Sequence, residues 1–119
     1  IIAAGFNDIE LALAYKNAIA VVMPSHIEGF GLPVVEALSV NGLVLIADSR
    51  GLREAAGDSC LKFSSRKPDQ LASICRLLLD SDRRSDLVEM LSLKRQARLE
   101  QLNPDLIGLC LLAMARELL

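Results

Sequence analysis

The chain has 119 residues, 52% of them hydrophobic and 3% aromatic, with 13 Lys and Arg against 15 Asp and Glu for a formal net charge of −2. That length supports one core of ordinary size. With one Tyr, three Phe and no basic excess, it offers no cationic, aromatic-rich surface for nucleic acid, and no apolar run reaches the length of a membrane span. Cys60, Cys75 and Cys110 have no CxxC spacing and sit among apolar neighbours. They read as reduced core thiols of a cytosolic protein, with neither a zinc site nor a redox role indicated.

In chain order, Ile1 to Ala4 reads as a strand. Asn7 or Asp8 caps a helix to about Ala18, in which Ile9, Leu11, Ala12, Leu13 and Tyr15 form most of the buried side. Ala20 to Met23 is β-branched and uniformly apolar, the character of a strand buried on both faces. After a loop from Pro24, Pro33 supplies a preset φ at the first helical position and Val34 to Val40 follows with helical spacing. Leu43 to Ala47 is the next strand, a short helix near Leu52 to Ala56 ends at Gly57, and Cys60 to Phe63 is a short third strand. Pro68 opens a helix over Asp69 to about Asp80. Asp82 to Glu100 continues as a polar helix, with Arg83, Arg84, Lys94, Arg95 and Arg98 as a solvated face. Pro104 starts a last helix, Asp105 to Leu119, apolar on nearly every side; it either packs on its own sheet or needs a partner surface. The alternation implies an α/β fold, a Rossmann-like parallel sheet with flanking helices and right-handed crossovers.

The loop into the Pro33 helix carries the chemistry. The free N–H groups of Leu32, Val34 and Val35 and the positive end of the helix dipole attract an anion such as a diphosphate. Gly29 and Gly31 let the backbone approach it, and they equally serve a tight turn. Glu36 lies about one turn inside, where a carboxylate accepts hydrogen bonds from vicinal hydroxyls. Glu28 faces the same space from ahead of the glycines. A ligand with a phosphate centre and a sugar at either end reconciles two carboxylates with an anion site. Plainer readings stay open: Glu36 as a residue favourable to the dipole, Glu28 as a solvated loop carboxylate. His26 has no partner by spacing and reads as a loop anchor, Glu54 as a brace of its helix, and Arg50 and Arg53 as surface charges or phosphate neighbours.

The run Glu28-Gly29-Phe30-Gly31-Leu32-Pro33-Val34-Val35-Glu36 after Pro24-Ser25 resembles the E-x7-E donor-binding signature of retaining glycosyltransferases of the GT-B fold, of the group 1 or family 4 type. The likeness extends to Gly5-Phe6 and Leu13 to Ala18 before it, and to Ala37 to Gly42, Val44 to Ala47 and Gly51 to Gly57 after it, covering roughly Gly5 to Leu79. It implies that the backbone of Gly29, Phe30, Gly31 and Leu32 lies along the donor's sugar and diphosphate. By the same likeness Glu28 contacts hydroxyls of the transferred sugar as the catalytic residue, and Glu36 holds the nucleotide ribose. The implied donor is a UDP-, GDP- or ADP-hexose and the acceptor a hydroxyl, with retained configuration and no metal or tightly bound cofactor. Two positions depart from the pattern: Leu43 follows Gly42 where Pro is usual, and Arg53 stands where Pro is common before Glu54. Both bear on loop rigidity.

An enzyme of that fold has two domains with the active site between them. Residues 1–119 are therefore expected to be the partial nucleotide-sugar-binding domain, with the acceptor domain and the basic pair that binds donor phosphates upstream of Ile1. A sheet cut at Ile1 to Ala4 would carry an unpaired edge, so self-association is expected. The expected location is cytoplasmic, or peripheral at the inner membrane surface for the full-length protein. Two rivals stand beside the transferase. A hydrolase would use Glu28 and Glu36 as acid and base, which conflicts with helix amides lowering the Glu36 pKa. A non-catalytic binding or assembly module derived from such a domain is the other.

Overall fold

A computed structural model describes residues 5–26, 29–102, 105 and 108. In chain order the elements are α1 (Asp8–Asn17), β1 (Val21–Met23), α2 (Leu32–Ser39), β2 (Val44–Ala47), α3 (Arg50–Ala56), β3 (Leu61–Phe63), α4 (Pro68–Leu79) and α5 (Ser81–Gln101). The strands form one sheet in the order β1-β2-β3, with both pairs parallel; Val22 lies opposite Leu45, and Leu45 opposite Leu61. Parallel neighbours need a crossover, and α2 and α3 supply the two. This is the α/β, Rossmann-like architecture read from the alternation of elements.

Local chemistry sets most helix ends. Asn7 Oδ1 accepts from the Glu10 N–H at 2.9 Å while Glu10 Oε2 accepts from the Asn7 N–H at 2.9 Å, a reciprocal cap on α1. Asp80 Oδ1 accepts from the N–H groups of Asp82 and Arg83 at 3.1 and 3.2 Å, starting α5. Gly57, with φ 55°, ends α3. The core is mostly aliphatic: all of β2 is buried, against Val34, Val35, Ala37 and Leu38 of α2 and Leu52, Ala55 and Ala56 of α3. Leu78 of α4 and Leu91 of α5 close it. Among the described residues no helix is long and apolar enough to cross a membrane.

Several burial expectations are corrected. Only β2 is buried along its whole length; Val22 of β1 is 39% exposed, because among the described residues β1 has a strand on one side only. Leu13 is exposed, since α1 packs through Ala12 and Tyr15, three residues apart on one face, and Leu13 turns away from it. Cys60 is buried as expected, and burial pushes its thiol up to about 11, but Cys75 is exposed on α4. Three residues of the supposed solvated face, Arg84, Arg95 and Arg98, are half-buried: Arg84 donates to the Leu78 carbonyl at 2.8 Å, and Arg98 reaches α3. The expected strand Ile1 to Ala4, its unpaired edge, Cys110 and the last helix apart from Asp105 and Gly108 lie outside the described residues.

Candidate functional site

The site is built where β1 hands over to α2. Gly31 is the N-cap of α2 with φ 75° and ψ 44°, the left-handed region. A Cβ there would lie 3.1 Å from Ala55 Cβ and 3.4 Å from Leu52 Cδ2, so close approach to α3 also demands glycine. A Cβ on Gly29 would meet nothing within 4 Å. The turn reading of Gly31 thus stands, and it leaves the helix start open. Among the described residues no side chain caps α2 and its first turn holds no acidic residue, which is also true of α3, whereas α1, α4 and α5 carry Asp8, Asp69 and Asp82 in their first turns.

One expected donor is not free. The Val34 N–H donates to the Gly31 carbonyl at 2.9 Å, because the left-handed cap tightens the first turn. Phe30 and Leu32 flank this end of the helix and are 41% and 43% exposed, an apolar lip beside polar backbone. Glu28, the expected catalytic residue, lies outside the described residues.

Glu36 is half-buried against α1, where the Tyr15 hydroxyl donates to its Oε2 at 3.5 Å. Among the described residues Oε1 has no partner and can accept from a ligand. Burial raises the Glu36 pKa, the Tyr15 hydrogen bond pulls the other way, and the Asp8 carboxylate adds to the rise. The expectation that helix amides would lower it is therefore corrected: as the fifth residue of α2, Glu36 lies beyond the helix start and meets a phenol and a carboxylate of α1 instead. The Tyr15 hydroxyl is pushed up to about 12, by burial first and then by the charge of Glu36, so it stays a donor at neutral pH.

The close of α2 holds Tyr15 in place. Asn41, with φ 65°, turns the chain; its N–H donates to the Leu38 carbonyl at 3.1 Å and that of Gly42 to the Ala37 carbonyl at 2.8 Å. A Cβ on Gly42 would lie 2.9 Å from the Ala37 oxygen and 3.1 Å from the Tyr15 oxygen. Glycine lets α1 sit down on this turn. Leu43, at a position where the family pattern favours Pro, is buried and accepts from the Val21 N–H at 2.8 Å.

The charges around α3 are settled otherwise. Arg50 pairs with Glu54 at 3.1 Å and Arg53 with Asp48 at 3.4 Å, so both arginines are surface ion pairs and Glu54 is the expected brace. Arg98 Nε donates to the Ala55 carbonyl at 3.1 Å and Arg98 Nη2 to that of Glu54. His26 is exposed and its ring has no hydrogen-bond partner among the described residues, so it is not the anchor expected. It lines a cavity of about 530 Å³ with Asp48, Ser49, Arg50, Ser64 and Arg66. Sequence reasoning missed the facing of Tyr15 to Glu36 across 21 residues and the grip of Arg98; neither has a local signal.

The arrangement can take an anion at the open end of α2 and hydroxyls at Glu36. A family model for glycosyl transferases group 1 matches residues 1–95. The chain is 43% identical over 81 residues to the D-inositol 3-phosphate glycosyltransferase of Frankia alni, covering 66% of this chain and 20% of that protein. It is 39% identical over 77 residues to D-inositol 3-phosphate glycosyltransferase 1 of Catenulispora acidiphila, covering 63% of this chain and 18% of that protein. The chain thus spans about a fifth of the length of the curated relatives it matches. No solved structure matches at a significant level. With four-fifths of its length inside the family match, the chain belongs to the glycosyl transferases group 1 family.

Proposed function

We propose that this chain supplies the nucleotide-sugar donor site of a retaining GT-B glycosyltransferase, which moves a hexose from a nucleoside diphosphate to an acceptor hydroxyl. The observation that carries the reading is the half-buried Glu36, which among the described residues has one carboxylate oxygen unengaged, near a start of α2 that no described side chain caps. On this reading the backbone from Gly29 to Leu32 lies along the sugar and diphosphate, and helix-start amides stabilise charge developing on the departing diphosphate. Glu36 accepts hydrogen bonds from the ribose hydroxyls, and Glu28 positions the transferred sugar. The rise in the Glu36 pKa removes acidity as an argument against a hydrolase. The family match is what favours transfer over hydrolysis.

Ligand-observed NMR with UDP, GDP and ADP tests the reading. Saturation transfer from the chain to the ribose protons of one nucleotide, lost in Glu36→Ala, is the expected result and names the base. Silence from all three, or transfer unchanged in the variant, would count against a donor site at Glu36.

A further inference from the structure

The contact between α1 and α2 suggests a second contributor to the site. Glu36 is a long side chain with several rotors, and a carboxylate that must meet two vicinal hydroxyls loses less freedom on binding if it is already held. We propose that Tyr15 is the positioning residue of Glu36: its hydroxyl engages Oε2 and turns Oε1 toward the ligand. The inference rests on the donor-site reading above.

Three observations support it. The Glu36 carboxylate is the hydrogen-bond partner of the half-buried Tyr15 hydroxyl, and a phenol placed this way normally has one. The Tyr15 backbone is pinned independently, since its carbonyl oxygen lies against Gly42 where a Cβ would come within 3.1 Å. The ring also packs against the core, so the hydroxyl is held on a rigid body. Its raised pKa keeps the proton on the phenol throughout the neutral range. Asp8, the other group of α1 acting on Glu36, does so through charge and has no hydrogen bond to it.

The test separates hydroxyl from ring. In the full chain labelled with 13C, Tyr15→Phe should move the side-chain carboxyl resonance of Glu36. Affinities for UDP, GDP and ADP are then measured beside those for their 2′-deoxy counterparts. Wild type should prefer the ribonucleotide; Glu36→Gln should abolish the preference, and Tyr15→Phe should shrink it about twofold, the low end for a hydrogen bond, as suits a contact of 3.5 Å. Tyr15 is the chain's single tyrosine, so incorporated 3-fluorotyrosine reports on this position alone. Should Tyr15→Phe fail to fold, that 19F resonance must move both in Glu36→Gln and on nucleotide binding. An unmoved Glu36 resonance, an unmoved 19F signal or an unchanged preference in Tyr15→Phe overturns the role of Tyr15. A wild-type chain indifferent to the 2′-hydroxyl, in which Tyr15→Phe still shifts Glu36, overturns the donor-site reading and the positioning role with it.

Discussion

The two crossover helices α2 and α3 both follow a parallel strand and both carry a glutamate as their fifth residue, Glu36 and Glu54, yet the two carboxylates have opposite surroundings. Glu54 is exposed and neutralised by Arg50 one turn earlier, with Arg53 bound to Asp48 and Arg98 holding the last carbonyls of α3. Glu36 is half-buried, has no cation within ion-pair distance among the described residues, and meets a phenol. The same position in the same kind of unit is thus closed in one case and left open in the other. Surroundings, more than position in the motif, separate the carboxylate proposed to hold the ligand from a brace.

This contrast can be strained at several points. Gly42→Ala should have the largest effect, about 2 kcal/mol of stability, because two backbone oxygens confront the new Cβ and cannot swing aside. A lower urea midpoint is expected, and an unchanged one would mean that α1 is not locked on the α2 turn. Gly31→Ala should cost about 1–2 kcal/mol for its left-handed backbone and weaken nucleotide binding as well, since the helix start must move. Arg98→Ala should cost about 1 kcal/mol by freeing the end of α3. Nucleotide affinity should stay unaltered, and a change in affinity equal to that of Gly31→Ala would blur the distinction between the helices.

The smallest effects differ in sign. Glu54→Gln removes an exposed ion pair and should cost no more than about 0.5 kcal/mol. Glu36 binds its proton more tightly in the folded chain, so its contribution to stability is fullest below the ordinary carboxylate value of 4.5 and is lost as pH rises through its raised folded value. Glu36→Gln should therefore match or exceed wild type in thermal melts at neutral pH, with the gap closing toward acid. A variant less stable than wild type at neutral pH would assign Glu36 a structural role.

What could be read beforehand follows from how local each signal is. Asn7, Pro33, Gly57 and Pro68 act within a few residues of themselves, so the helix starts and stops they set were legible, and with them the strand-helix alternation. The turn at Gly31 that opens α2 was legible for the same reason. The exposure of Val22, Leu13 and Cys75 was not, because it depends on which elements pack beside them. The acidity of Glu36 was misjudged because its neighbours, Tyr15 and Asp8, come from a helix far back in the chain. Arg98 looked like one more surface cation on a polar helix; its partners are the carbonyls of Ala55 and Glu54, more than 40 residues away.

The most direct measurement is a map of backbone amide shifts in the 15N-labelled chain as the nucleoside diphosphate selected by saturation transfer is added. The account predicts shifts centred on Gly29 to Glu36 and spreading to Tyr15, with Arg50 to Ala56 left unmoved. Shifts centred on α3 and the loop beside His26, with the start of α2 silent, would contradict it.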